Sequence, residues 1–383
     1  MKNTLPTFGI DLGTSSTIVT RFSPPASYDI ESTPFSCNRG SGLAGKSLVI
    51  PSTIWVDTSA MVVGGVRVVD GEVLLPIANG KGYKYTIGCS PNPDCSDGPL
   101  PPKVVLIDNF KTSFNEDRSY VHERGAWHCR GKIWTYYFLR TLLETLHGAS
   151  SGVSSSSGCN LCVTHPSSWS STKKACLLEI LHIINPPPSV SSVWSESTAA
   201  SVCYQQNYPS EDVVAVVDVG AGTTDISVLN FGDGTERVVA VRGCEMGGNE
   251  VDRVVVDWWE AKVGKKIENA RAAEKVARDG KVKLCGWRVW DEGELGGLED
   301  YVEPEPSVNL SLPGFHSAVL TREVFVELIE DKVLPKIANL VEETLRNLAV
   351  SSVILLGGGS HLPQLQETIS LKAPGRYIAF GRI

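Results

Sequence analysis

No apolar run in these 383 residues approaches the roughly 18 needed to cross a bilayer as a helix, so no membrane span organises the chain. The opening MKNTLPTFGID has no signal-peptide apolar core, and strand-like sequence starts almost at once, which reads as a cytoplasmic protein. Positive charge is not in excess. Lys and Arg number 35 against 43 Asp and Glu, giving a net charge of −8 and a pI near 5.5. That balance argues against a general nucleic-acid or anionic-membrane surface. Metal-binding cysteine spacing is also missing: Cys159-x-x-Cys162 has no second pair at zinc spacing, and no histidine follows at finger distance. The ten cysteines are scattered, and Cys162, Cys176 and Cys203 sit among apolar or helical residues, so they read as reduced core thiols.

What the chain does have is one loop written twice. Val213 to Phe231, VVAVVDVGAGTTDISVLNF, is a β-branched run that ends in Asp218, turns through Gly220, Ala221 and Gly222, and resumes as an alternating strand. Phe8 to Phe22, FGIDLGTSSTIVTRF, repeats it. Aligning Asp11 with Asp218 also aligns Gly13 with Gly220, and sets Ser16 and Thr17 on Thr223 and Thr224. A buried strand that delivers one carboxylate into a glycine turn suits phosphate handling, because glycine lets backbone amides approach an anion without a Cβ in the way. Two copies, one near each end, imply two related half-domains facing each other.

Between the loops the pattern alternates strands and helices. Residues 50–56 and 60–69 read as strands of an inserted unit, and 76–102 as an irregular excursion. A helix is expected near 132–147, a serine-glycine surface loop over 148–158, a strand over 160–164, and a helix over 172–184 stopped by prolines. After a half-boundary near 207–212 come a strand over 236–242, a helix after Gly247 and Gly248, and helical spacing over 267–284. Residues 291–306 are acidic and turn-rich. Thr321 caps a long helical pattern to Leu348 with a kink at Pro335, a buried strand over 353–356 runs into Gly357-Gly358-Gly359, and a final helix covers 362–370. This is an α/β fold with a mixed sheet in each half, and ligands of such sheets bind where the turns converge beyond the strand ends.

Taken together, these segments resemble the actin, sugar-kinase and heat-shock-chaperone ATPase superfamily. Asp11 to Ser16 looks like its first phosphate loop, Asp218 to Asp225 its second, and Gly357 to Ser360 its adenosine motif. Glu196 to Ala200 and Pro374 to Gly381 look like its two connecting helices. Within it, IDLGT, Ile50-Pro51-Ser52, the Glu196 segment, Gly247-Gly248 and Leu320-Thr321-Arg322 recur in the order of the nucleotide-binding domain of 70-kilodalton heat-shock chaperones. The resemblance implies a two-lobed actin-like ATPase fold of duplicated ribonuclease-H-like domains with a nucleotide cleft between the lobes. Lobe I would cover 1–209 with an insert at 47–130, and lobe II 210–383 with an insert at 252–315.

It further implies ATP or ADP with Mg²⁺ as ligands. Gly13, Thr14, Ser15, Ser16, Gly220, Ala221, Gly222, Thr223 and Thr224 would cradle the phosphates, with Asp11 and Asp218 holding Mg²⁺ through its waters. Glu196, Lys111 and Asp225 stand where catalytic groups are expected. Gly247, Gly248, Glu250, Lys281, Gly357, Gly358 and His361 would face the nucleoside, and Pro166 resembles a proline that couples nucleotide state to motion. The chain departs from the family at Gly375, His361, Ala221 and Asn249, and the expectation is of a protein lacking the family's apolar linker and β-rich peptide-holding domain. The expected activity is slow ATP hydrolysis coupled to lobe closure, with a protein partner or co-chaperone and no nucleic acid. Two other readings stay open: a non-catalytic, nucleotide-gated interaction module, and a small-molecule kinase of the same fold.

Overall fold

The computed structural model describes residues 7–14, 16–22, 47–63, 73–78, 81–87, 103–112, 114–115, 117–122, 125–148, 159–184, 188–207, 213–232, 237–286, 304–374 and 377–380. Ser15, Gly375 and nearly all of the serine-glycine and acidic stretches lie outside them. The described residues pack into two compact units. The first holds those up to His165 and then Trp169–Trp194; the second holds Pro166–Ser168 and those from Ser195 onward.

The first unit contains strands β1 (Thr7–Leu12), β2 (Ser16–Phe22), β3 (Ser47–Pro51), β4 (Ile54–Val63), β5 (Val73–Ala78), β6 (Lys81–Ile87), β7 (Val104–Ile107), β8 (Asp117–His122) and β9 (Gly125–Arg130). Helix α1 (Gly131–Gly148), β10 (Asn160–His165), helix α2 (Ser171–Ile183) and β11 (Ser189–Ser195) follow. Its main sheet runs β11-β10-β1-β2-β3, with β1 parallel to β10 and antiparallel to β2. Phe8, Ile10 and Leu12 alternate along β1 into a core shared with Leu139, Leu142 and Leu146 of α1 and Leu177 and Leu181 of α2. A second sheet runs β5-β6-β4-β7, and β8 and β9 form a hairpin. The irregular excursion expected at 76–102 is therefore ordered in part: β5 and β6 pair across it despite its glycines and Pro76. Pairing with neighbouring strands, which local composition does not report, overrides the turn-rich signal.

The second unit contains α3 (Glu196–Asn207), β12 (Val213–Val219), β13 (Thr224–Asn230), β14 (Arg237–Cys244), α4 (Gly248–Val263), α5 (Ala270–Cys285), β15 (Ser307–Leu312) and β16 (Phe315–Thr321). Then come α6 (Arg322–Lys332), α7 (Leu334–Leu345), β17 (Ser352–Leu356), α8 (Leu365–Lys372) and β18 (Tyr377–Phe380). The sheet order β14-β13-β12-β17-β18 repeats the pattern of the first: a central strand, its antiparallel hairpin partner on one side, a parallel strand on the other. The registers repeat as well. Leu12 faces Thr17 across the first hairpin, and Val219 faces Thr224 across the second.

β12 needs an unbroken apolar run because both of its faces are covered. Ala215, Val217 and Val219 join the core beneath α4 and α7, while Val214 and Val216 pack with Ala200 of α3, Leu229 and Leu356 on the other side. Among the described residues β14 is the edge strand of this sheet, and its Val238, Val239 and Val241 side chains are exposed.

Two expectations are corrected. Pro374 to Gly381 does not carry a connecting helix: its aromatic and branched residues 377–380 form β18, parallel to β17. The single kinked helix from Thr321 is two helices. Thr321 does cap α6, its hydroxyl accepting from the Val324 amide at 3.3 Å, but the chain breaks at Val333 and Pro335 falls in the first turn of α7. Proline lacks the N–H a continuing helix would need and is well tolerated at a helix start.

The described cysteines 159, 162, 176, 244 and 285 are free thiols. Cys159 immediately precedes β10 and is buried, whereas Cys162 lies within the strand and is half-buried. Ser192 donates its hydroxyl to Cys162 Sγ at 3.0 Å. Burial pushes the Cys159 thiol up to about 11 and the Cys285 thiol up to about 12, the latter against the opposing pull of Lys281 and Arg322. Both are neutral in the folded and unfolded chain at pH 7. Their preference for the fold is complete there and is lost as pH rises from the ordinary thiol value, about 8.5, toward the folded values. Iodoacetamide at pH 8 is expected to spare Cys159 and Cys285 in the native chain and to label both after denaturation, read by mass spectrometry. Native labelling at the denatured rate would contradict their burial.

Candidate functional site

In the first unit, Asp11 is the last residue but one of β1, and the turn to β2 closes behind it. The Gly13 amide donates to the Asp11 carbonyl at 3.2 Å, and a Cβ on Gly13 would stand 2.1 Å from the Ser16 carbonyl oxygen, so no other residue fits this turn. Hydroxyls lock it from outside. Ser52 donates to the Gly13 carbonyl at 2.8 Å and lies 2.9 Å from the Thr17 hydroxyl, while Thr164 at the end of β10 donates to Asp11 Oδ1 at 2.6 Å. Thr14 and Ser16 flank the turn half-buried. Lys111 also belongs to this unit, after β7; it is 6% exposed, next to core residue Phe110 and to Asn109, whose φ is 50°.

In the second unit, three glycine turns meet at the end of β12. The Gly220 amide closes its own turn on the Thr223 carbonyl at 2.9 Å. The first amides of α4 then claim the loop's carbonyls: Gly248 N–H donates to Gly220 O at 3.0 Å and Asn249 N–H to Ala221 O at 2.7 Å. Gly247 comes so close that a Cβ there would lie 2.6 Å from Gly220 O. From the other side, Gly357 (φ 74°) presses on β12, where a Cβ would stand 2.4 Å from Asp218 Oδ1 and 2.5 Å from Val219 O. Gly359 is similarly tight on Val219. A trans peptide points its N–H opposite its C=O. With the carbonyls of Gly220 and Ala221 turned to α4, the amides of Ala221 and Gly222 turn away from it. Successive outward amides are the donor geometry that anion-binding concavities share.

The neighbouring side chains have separate tasks. Thr224 departs from the expected phosphate role: it is fully buried and its one hydroxyl proton goes to the Met246 carbonyl at 2.7 Å, tying β13 to the segment before α4. Asp225 is 2% exposed and accepts the Ser168 amide at 2.9 Å. Gly243 is packed against the same Ser168. Lys281 reaches from α5 to the Gly248 carbonyl at 2.8 Å and pairs with Asp252 Oδ1 at 2.6 Å, while Arg278 Nε lies 3.2 Å from Asp252 Oδ2. The Asp252 carboxylate is 1% exposed, so these cations offset its lost hydration. Glu250 points to the rim, where it pairs with Arg253 at 3.2 Å. Gly358 and His361 bound a short 3₁₀ turn after β17; His361 is exposed as a residue, yet partial desolvation holds its ring below the ordinary histidine value.

Glu196 is the first residue of α3, a position where helix-terminal amides favour a negative charge. Asp218, Gly220 to Thr224, Gly247, Gly248, Lys281 and Gly357 are thus brought together around one strand end, whereas Asp11, Gly13, Thr14, Ser16 and Lys111 stand in the other unit. Sequence reasoning missed Asp252, Gly243 and Ser168. Asp252 was signalled by its place four residues after Gly248, on the same helix face; nothing local marks Ser168.

The family model described as Hsp70 protein matches residues 178–375, just over half of the chain. Heat shock 70 kDa protein 6, chloroplastic, of Arabidopsis thaliana is 32% identical over 207 residues, covering 50% of this chain and 26% of that protein. Chaperone protein dnaK of Cyanidioschyzon merolae is 29% identical over 205 residues, covering 50% of this chain and 31% of its own length. Chaperone protein dnaK of Thalassiosira pseudonana is 28% identical over 217 residues, covering 52% and 33%. The matched part is thus a third or less of each relative's length. With the duplicated strand–glycine-turn hairpins in each unit and a family match over more than half its residues, the chain belongs to the Hsp70 family.

Proposed function

We propose that the chain binds ATP with Mg²⁺ and hydrolyses it slowly, with its lobes closing as the nucleotide changes state. The observation that carries this reading is the end of β12, where α4 takes the carbonyls of Gly220 and Ala221 and leaves the intervening amides turned outward. Glycine is required at 247 and 357 by contacts with the strand end itself, so the cradle is crowded from behind and built to present backbone. The Gly13 turn repeats the design.

In hydrolysis, water attacks the γ-phosphorus, the bond to the ADP oxygen breaks, and the water's proton leaves with the phosphate or to solvent. The donor chemistry fits a hard cation. Asp11 and Asp218 are carboxylates at the two strand ends, and they would hold Mg²⁺ through its waters. Mg²⁺ spreads the charge of the phosphates when bound. Thr14, Ser15, Ser16 and Thr223 donate hydroxyls or amides to phosphate oxygens. Lys111 neutralises charge that develops on the γ-phosphate, and Glu196 and Asp225 orient the attacking water. Gly357, Gly358, His361 and Glu250 face the nucleoside, with Lys281 fixing the Gly248 turn beside them. The named relatives are heat-shock proteins and chaperones, so the nucleotide state is proposed to be read by a protein partner. The buried neutral thiols suit a reducing compartment such as the cytoplasm.

Two experiments test the reading. Calorimetric titration with ATP and Mg²⁺ beside single-turnover hydrolysis is expected to show binding in wild type and Glu196→Ala alike, with turnover in the variant reduced about a hundredfold. Binding without wild-type turnover would leave a nucleotide-gated module, and no binding would remove the phosphate-loop reading. Gly357→Ala must place a Cβ in a left-handed conformation, costing about 1–2 kcal/mol, and also against Asp218. It is expected to lower the thermal midpoint and abolish ATP binding. A variant that binds ATP like wild type would show that the Gly357 approach is dispensable.

A further inference from the structure

Glu196 opens α3 between two anchored serines. Ser195 precedes it as the helix cap: its hydroxyl accepts from the Thr198 amide at 3.0 Å and donates to the Thr198 hydroxyl at 2.7 Å. Ser197 follows it, fully buried, and donates its hydroxyl to Ser227 Oγ on β13 at 2.6 Å. On its other side the Ser197 hydroxyl is in direct hydrogen-bond contact with that of Ser167. A serine has one proton to give. Since Ser197 gives its own to Ser227, Ser167 must donate to Ser197, and the chain runs Ser167→Ser197→Ser227. Chains of this kind polarise each member in the same sense.

The three serines lie on three different pieces of the second unit: the Pro166–Ser168 segment, α3 and β13. Ser227 stands two residues beyond Asp225, hence on the same face of β13, and Asp225 holds the amide of Ser168 at 2.9 Å. Ser167, Ser197 and Ser227 are 8%, 0% and 0% exposed. Ser227 lies opposite Val216 across the β12–β13 ladder and shares a face of β13 with Leu229, both members of an apolar cluster that needs no hydroxyl to hold together. What a buried hydroxyl chain supplies, and methyl groups do not, is direction.

We propose that Ser197 is a positioning residue for Glu196. The Ser167→Ser197→Ser227 chain sets the rotation and height of the first turn of α3 against β13, and with them the direction in which the Glu196 carboxylate is presented. This rests on the reading of Glu196 as the group that orients the attacking water.

The test compares wild type with Ser197→Ala, Glu196→Ala, the double variant, and a triple variant with alanine at 167, 197 and 227. Single-turnover ATP hydrolysis, ATP affinity by calorimetry, urea midpoints and amide exchange of the nucleotide-free chain are measured. Ser197→Ala is expected to slow turnover about tenfold to a hundredfold with ATP affinity unchanged, and to speed exchange at residues 197–199 while β13 amides keep wild-type rates. The double variant should be no slower than Glu196→Ala. The triple variant, which removes the chain whole and leaves the Ser195 hydroxyl its two bonds to Thr198, should recover most of the urea midpoint but none of the rate. Wild-type turnover in Ser197→Ala, recovered turnover in the triple variant, or additive loss in the double variant would each overturn the positioning role. Glu196→Ala turning over like wild type, or a wild type that does not turn over, would instead remove the Glu196 reading, and the proposal with it.

Discussion

Two backbone hydrogen bonds, from the first amides of α4 to the carbonyls of Gly220 and Ala221, are what the second unit's site depends on. They use donors that a helix start leaves without intrahelical partners. By fixing which way two peptide planes face, they fix the opposite edge of the same planes as an array of donors. The requirement for glycine at 247 follows directly, because the bonds form only if the backbones touch. Gly357 serves the same end from the β17 side. The Thr224 hydroxyl then ties the loop's far strand to the segment before α4. Lys281 secures that arrangement by holding the Gly248 carbonyl while its charge is balanced by buried Asp252.

The first unit reaches a similar turn by other means. Its hairpin has the same register and the same Asp-x-Gly at the strand end, but side-chain hydroxyls of Ser52 and Thr164 lock it where the second unit uses helix amides. The two hairpins thus share strand register and Asp-x-Gly placement, while the bonds that close and support each turn differ. In each case a loop that would otherwise be free to choose among many conformations is held from behind, which lowers the ordering cost of meeting an anion.

The polar interior of the second unit is also unusually specific in direction. Asp252 with its two cations, Asp225 with the Ser168 amide, and the serine chain through Ser197 are all buried and all paired. Such groups add little net stability compared with apolar residues of equal size, but leaving one of them unpaired is costly. They act as locating pins between α3, α4, α5 and β13, elements whose apolar contacts alone would permit small slides.

Much of this was legible in the chain itself. The two Asp-x-Gly hairpins, the both-sides-buried run of β12, the Thr321 cap and the glycine turn after β17 are patterns carried within a few adjacent residues, and periodicity or steric permission suffices to read them. The hairpins β5–β6, β8–β9 and β15–β16, and the strand at 377–380, were not legible, because their pairing depends on neighbours rather than on local preference. The same holds for the site. That Asp11 would meet Thr164, 153 positions away, that Thr224 would give its proton to Met246, and that Ser197 would sit between Ser167 and Ser227 are outcomes of packing. Where glycine and carboxylate stand along each strand is readable from adjacent residues alone; which carbonyls are covered and which amides face outward is a matter of packing, because whichever element lies behind the loop makes that choice.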